Sequence, residues 1–168
     1  MAIPRNLTIK TQEALENAHS LAQGEGQQEL SPLHLLFSLT DQTDSIITPL
    51  LQKLGIDIAR LKDEVKEQIN KLPKVTGAAM DQIYPSRELI KILENSADEA
   101  KKMNDSFVST EHLFLGLITV SSDAQKILLK WWHQLYAVHP GQALALTYWK
   151  HPLLLQQHRL LLLYAVRR

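Results

Sequence analysis

An offset of 78 residues brings this chain into register with itself. "TIKTQEALENA" (Thr8–Ala18) falls on "SRELIKILENS" (Ser86–Ser96), and "SPLHLLFSL" (Ser31–Leu39) falls on "STEHLFLGL" (Ser109–Leu117). More loosely, "ITPLLQK" (Ile47–Lys53) falls on the stretch ending at Lys130. A single offset that aligns three segments marks a duplication, and a duplication restricts the fold to two copies of one supersecondary unit.

Each unit reads as helices. Thr8 and Ser86 stand where an N-cap oxygen would accept an orphan backbone N–H. Apolar residues follow at helical spacing: Ala14, Leu15, Ala18, Leu21 and Ala22 in the first unit, and Leu89, Ile90, Leu93, Ala97 and Ala100 in the second. Gly24 and Gly26 end the first helix. Ser31 with Pro32 opens a second helix as N-cap and N1 proline. Ser109 repeats that cap, with Glu111 in the first turn, where the helix dipole favours an anion. A third helix is expected over about 45–54, stopped by Gly55. A fourth, over about 57–72, carries Ile58, Leu61, Val65, Ile69 and Leu72 on one face and is stopped by Pro73. No segment alternates with period two for long enough to read as a strand. The expected architecture is all-α: repeat one over about 8–72, a linker over 73–85, and repeat two over about 86–130. Neither unit is large enough to bury its apolar face alone, so the two should pack as one domain over residues 1–130.

The remaining 38 residues use a different vocabulary. From Trp131 to Arg168 there is no Asp or Glu, whereas all three Trp, three of four Tyr and four of seven His lie there. The formal net charge of zero therefore hides an acidic body and a basic tail. An acidic body lacks the basic face of a nucleic-acid module. The longest apolar runs fall far short of the ~20 residues of a membrane span. The start "MAIPRNLTIK" has no apolar signal segment, so a cytoplasmic location is expected. With no Cys there is no disulfide or thiolate zinc site.

Catalytic patterns are missing from the sequence. Its six glycines form neither a phosphate-cradling GxxxxGK[ST] nor a GxGxxG, so no enzymatic activity and no cofactor are expected. His34 and His112 share one repeat position. They read either as structural imidazoles at helix starts or as a paired metal or acid/base site, and no third ligand recurs beside them. Asp105 and Glu111 flank the second unit's cap. They read either as solvated cap partners or as polar anchors of a binding surface.

"LTIKTQEAL", "LSPLHLLFSL", "LLQKLGID", "LPKVTG" and "DSFVSTEHLFLGL" together resemble the double Clp repeat, the N-terminal domain of Clp-family AAA+ unfoldases, and are most similar to the ClpB-type disaggregases. The resemblance covers roughly residues 6–130. It implies a module that recruits unfolded or aggregated polypeptide, or docks adaptor proteins, for an ATP-driven ring whose modules this chain does not contain. It implies a role in chaperone activity for Thr8, Asp105 and Glu111, with Asp105 and Glu111 bordering a shallow apolar groove. Leu93, Ser96, Ala97 and Ala100 are expected as candidates for its wall. ClpC-type relatives read phosphoarginine with the Glu of "TEH" in each repeat; the first repeat here has "SPLH", with Leu33 in that place, which favours the ClpB-type reading.

The tail departs from the family. After "LLK" the repeat should continue as "LGID" does at Leu54–Asp57. Trp is encoded only by TGG and His only by CAT or CAC, so "WWHQ" read one nucleotide later gives Gly, Gly, Ile or Thr, then Asn or Ser. Gly-Ile-Asn is close to the missing Gly-Ile-Asp. A frame change near Lys130 is therefore expected in the underlying DNA. The Leu-rich end also reads as an interfacial amphipathic helix, or as a segment that collapses as a helix against the repeat core. Its irregularly spaced His give no metal pattern.

Overall fold

The computed structural model describes residue 4 and residues 6–75 and 82–138. The two units superpose in sequence to the residue. Helix α1 spans Ile9–Gly24 and α2 Pro32–Asp41. Adding 78 to these bounds gives the bounds of α5, Arg87–Lys102, and α6, Thr110–Thr119. Between them lie α3 (Ile47–Lys53) and α4 (Ile58–Asn70), and α7 (Asp123–Val138) closes the described chain.

Local chemistry sets these limits. The Thr8 Oγ1 accepts from the Thr11 N–H and the Ser86 Oγ from the Leu89 N–H, each capping its helix. Asp57 does the same for α4 through the Arg60 N–H. Gly26 and Gly55 sit at φ 71° and 86°, left-handed conformations that let the chain reverse after α1 and α3. The third and fourth helices are each a little shorter at their ends than the spacing suggested; α3 begins only after the Ser45 Oγ accepts from the Ile47 N–H.

One continuous apolar cluster joins both units. Leu35, Leu36 and Leu39 of α2 and Leu113 and Leu117 of α6 are fully buried in it, together with Ile47, Leu51, Leu61, Ile69, Leu89 and Ile92. Burying each such side chain contributes ~1.5–3 kcal/mol. The helix pairs α1–α2 and α5–α6 meet through small residues. In the first unit the Ser38 hydroxyl donates to the Ala14 carbonyl at 2.7 Å. In the second the counterpart of Ser38 is Gly116, and Ser96 donates instead to the carbonyl of Ile92 in its own helix at 2.6 Å.

Two features go beyond the sequence-based expectation. The first is a small amount of strand. Residues Glu29–Leu30 (β1) pair in parallel with Tyr84–Pro85 (β2), and Leu7 forms a parallel bridge with Val108. These are the same contact made twice. The Ser86 N–H donates to the Leu30 carbonyl at 2.9 Å, and the Thr8 N–H donates to the Val108 carbonyl at 3.0 Å. Each unit's leading segment therefore pairs with the other unit, in the two residues before its second helix. Two residues cannot show a period-two pattern, so no sequence signal announced them.

The second is the end of repeat two. The resemblance to the repeat ends near Lys130, and α7 runs on past that point to Val138. The segment 125–138 contains neither Gly nor Pro, and the first such residue is Pro140; a change of composition alone does not break a helix. Trp131 packs half-buried against the core. Its indole N–H donates to one Glu64 oxygen at 2.9 Å while Lys130 Nζ donates to the other at 2.7 Å, tying α7 to α4. The readings made for residues 139–168 lie outside the described residues.

Candidate functional site

The caps of α2 and α6 organise the polar interior. In the first unit the Ser31 N–H donates to His34 Nδ1 at 3.0 Å. Nδ1 is therefore the acceptor and Nε2 carries the proton, which it donates to Gln27 Oε1 at 2.6 Å. Gln27 Nε2 in turn donates to the Ile69 carbonyl at 2.6 Å, closing the C-terminal end of α4. Burial pushes the His34 imidazole down to about 4. Both ring nitrogens are committed to protein partners, which leaves no lone pair for a metal.

The second unit repeats the cap and changes the partner. The Ser109 N–H donates to His112 Nδ1 at 2.9 Å, and His112 Nε2 meets Asp105 Oδ2 at 3.3 Å. Asp105 occupies the position of Gln27. Burial lowers the His112 imidazole as well, while the carboxylates of Asp105, Glu111 and Glu99 pull it back up. Among the described residues no three His, Asp or Glu side chains gather as a metal cluster would require.

Around Asp105 the surface changes character. A groove runs between the outer face of α5 and the strand segment before α6, lined by Glu94, Ala97, Asp98, Asp105 and Phe107, with Pro4 at its edge. Residues 94, 97, 98 and 101 share one face of α5 by their spacing. Phe107 is 57% exposed, one of the few large apolar side chains on the described surface; Ile9, at 74%, is the first residue of α1, next to Thr8.

The residues singled out from the sequence divide among three places. Asp105, Ala97 and Ala100 line this groove, Ala100 as a buried floor. Thr8 and Glu111 do not line it: Thr8 caps α1 and holds Val108 through its backbone, and Glu111, half-buried in the first turn of α6, accepts from the Thr110 hydroxyl at 3.2 Å. Leu93 and Ser96 are buried in the packing of α5, Ser96 against α6 at Gly116, and so form no groove wall. Helical periodicity groups residues on one face but does not say whether solvent or another helix covers it. Phe107 was missed. Its signal lay in the repeat itself, since the position equivalent to Phe107 is Glu29 and the position equivalent to Ala97 is His19, both exposed and polar.

No helix among the described residues is long and apolar enough to cross a membrane. The model of the Clp repeat (R) N-terminal domain matches residues 6–131, ending one residue beyond Lys130. Chaperone protein ClpB of Bacteroides thetaiotaomicron is 39% identical over 123 residues, which is 73% of this chain and 14% of that protein. ClpB of Rhodopirellula baltica is 38% identical over 122 residues, again 73% of this chain and 14% of the relative. The chain thus spans about a seventh of the length of the curated relatives it matches. Among solved structures, the Hsp104 N-terminal domain of Candida albicans shares the fold at a TM-score of 0.63 and 22% identity, covering 79% of this chain and 81% of that one. A ClpV N-domain solved in complex with a VipB peptide has a TM-score of 0.61 at 20% identity, covering 87% and 91%. The duplicated helices, their paired His caps and these matches together show that the chain belongs to the Clp repeat N-terminal domain family and is a Clp N-terminal domain of the kind found in ClpB-like chaperones.

Proposed function

We propose that this domain recruits unfolded or aggregated polypeptide, taking extended apolar segments into the groove beside Phe107, and that in a longer ClpB-like protein it delivers them to ATP-driven unfoldase modules. The region matched in the relatives is the N-terminal domain and not the ATPase, so the reading is of a binding module without catalysis. One comparison carries it. The fold tolerates Glu29 and His19 at the first unit's equivalents of Phe107 and Ala97, so nothing in the packing demands apolar side chains there. A half-exposed Phe beside a half-buried Ala is instead what a surface needs to hold apolar chains, and such a surface reads area rather than a hydrogen-bond pattern. Asp105 is then the groove's polar rim, and Thr8 supports the groove from outside through its backbone bond to Val108. A solved relative, the ClpV N-domain with its VipB peptide, supports protein binding as the general activity of this fold.

The test uses the 168-residue chain and a fluorescently labelled client, either urea-unfolded or heat-aggregated. Phe107→Ser and Asp105→Ala should each weaken capture several-fold while circular dichroism stays helical. Unchanged capture in both variants refutes the site. Recovery of one stoichiometric folded protein, with no binding of unfolded client, refutes client recruitment in favour of adaptor docking.

A further inference from the structure

The groove's charge is as unusual as its apolar floor. Of its ionisable lining residues, Glu94, Asp98 and Asp105 are acidic and Lys101 is the cation. Lys101 Nζ lies 3.3 Å from Asp98 on the same exposed face of α5, so these two lining charges offset each other. Asp105 faces His112, whose burial keeps it neutral. Glu94 is exposed on the rim of α5. The groove therefore presents Phe107 and Ala97 together with the carboxylates of Glu94 and Asp105, which pair with no Lys or Arg among the described residues. The first unit has no such combination: the equivalents of Ala97, Asp105 and Phe107 are His19, Gln27 and Glu29.

We infer that the occupant of this groove is an extended polypeptide segment in which an apolar side chain is flanked by Lys or Arg. The inference rests on the reading of the groove as a client-docking site and specifies the client's chemistry. The apolar side chain lies on Phe107 and Ala97, and the flanking cation meets Glu94 or Asp105. An Arg gains further from stacking on the exposed face of Phe107. A flanking Glu or Asp meets like charge at both rims and is disfavoured. Because the rim is exposed, the selectivity is modest and sensitive to salt.

Two unstructured peptides with the same Leu/Phe centre, one flanked by Lys and one by Glu, test this by fluorescence anisotropy on the 168-residue chain. The Lys-flanked peptide should bind roughly 5-fold tighter at low salt, as expected for one or two exposed ion pairs, and the gap should shrink at high salt. Glu94→Gln, an exposed change of similar helix propensity, should narrow the gap about 2-fold without altering stability. Equal binding of the two peptides, tighter binding of the Glu-flanked one, or a gap unmoved by Glu94→Gln overturns the inference and leaves client docking standing. If neither peptide binds, client docking falls with it.

Discussion

Gly116 is where the two helices of the second unit touch. A Cβ placed there would lie 2.7 Å from Ser96 Oγ, 2.8 Å from the Ile92 carbonyl oxygen and 3.0 Å from Ile92 Cγ2. The hydroxyl could rotate away, but the carbonyl belongs to the backbone of α5 and yields only if the helix shifts. Gly116→Ala should therefore incur the upper part of the ~1–3 kcal/mol typical of overpacking. It recovers ~1 kcal/mol because Ala is the better helix former. The net expectation is a loss of ~2 kcal/mol, read as a lower urea midpoint at unchanged slope and a Tm reduced by roughly 5–10 °C. The first unit supplies the compensating change. There Ser38 stands in place of Gly116, Ala18 in place of Ser96 and Ala14 in place of Ile92, and Ser38 reaches the Ala14 carbonyl at 2.7 Å. Gly116→Ser combined with Ser96→Ala removes the hydroxyl contact but leaves the Ile92 carbonyl and Cγ2, so it should recover only part of the loss. A Gly116→Ala variant as stable as the parent would refute the close-approach argument. A double variant no better than Gly116→Ala would refute the equivalence of the two helix pairs.

Gln27→Leu removes both the acceptor of the buried His34 N–H and the donor to the Ile69 carbonyl, so chemical denaturation should show a loss of ~2–4 kcal/mol; a loss under 1 kcal/mol would mean that water replaces it. Acidification should destabilise the fold in a defined window. His34 is lowered from 6.5 to about 4, so the unfolded chain binds the extra proton first: stability is intact above about pH 6.5, falls through the interval to about pH 4 and then levels off for this group, by ~3 kcal/mol in all. The Glu25 carboxyl, held at about 2 by Lys66 and Lys74, contributes its own loss only below about pH 4.5. A urea midpoint that stays flat between pH 7 and pH 4.5 would show that His34 is already accessible to protons in the native state.

Much of this fold could be read from residue order because its helices are bounded by local chemistry. Thr8, Ser31, Asp57, Ser86 and Ser109 each precede a helix start, and Gly26 and Gly55 allow the turns after α1 and α3. The two-residue pairings were hidden, since Leu30 with Pro85 and Leu7 with Val108 are joined by the tertiary arrangement and not by propensity. The run of α7 past Lys130 agrees with the absence of Gly and Pro from residues 125–138, since helices end at Gly, Pro and caps and not at a change of composition. For the proposed groove, the resemblance pointed to Asp105 and left Ala97 a candidate wall residue alongside Leu93 and Ser96, whose inward turn depended on which helix covers α5. Phe107 was legible only by subtraction, as an aromatic residue where the other copy of the same unit has a carboxylate.

The paired bridges also determine how many units such a chain can hold. In an open repeat array each unit offers one face to the next, so further units can be added indefinitely and the ends need caps. Here Leu7 is received by Val108 and Pro85 by Leu30, so each unit both gives and accepts, and the exchange is satisfied at two. It is the logic of a two-fold dimer, closed on itself by an isologous contact, carried within one covalent chain. A third copy would find neither a free leader nor a free acceptor. The duplication therefore ends where its geometry closes, and the two sequences, no longer bound to be alike, are free to diverge at positions such as 29 and 107.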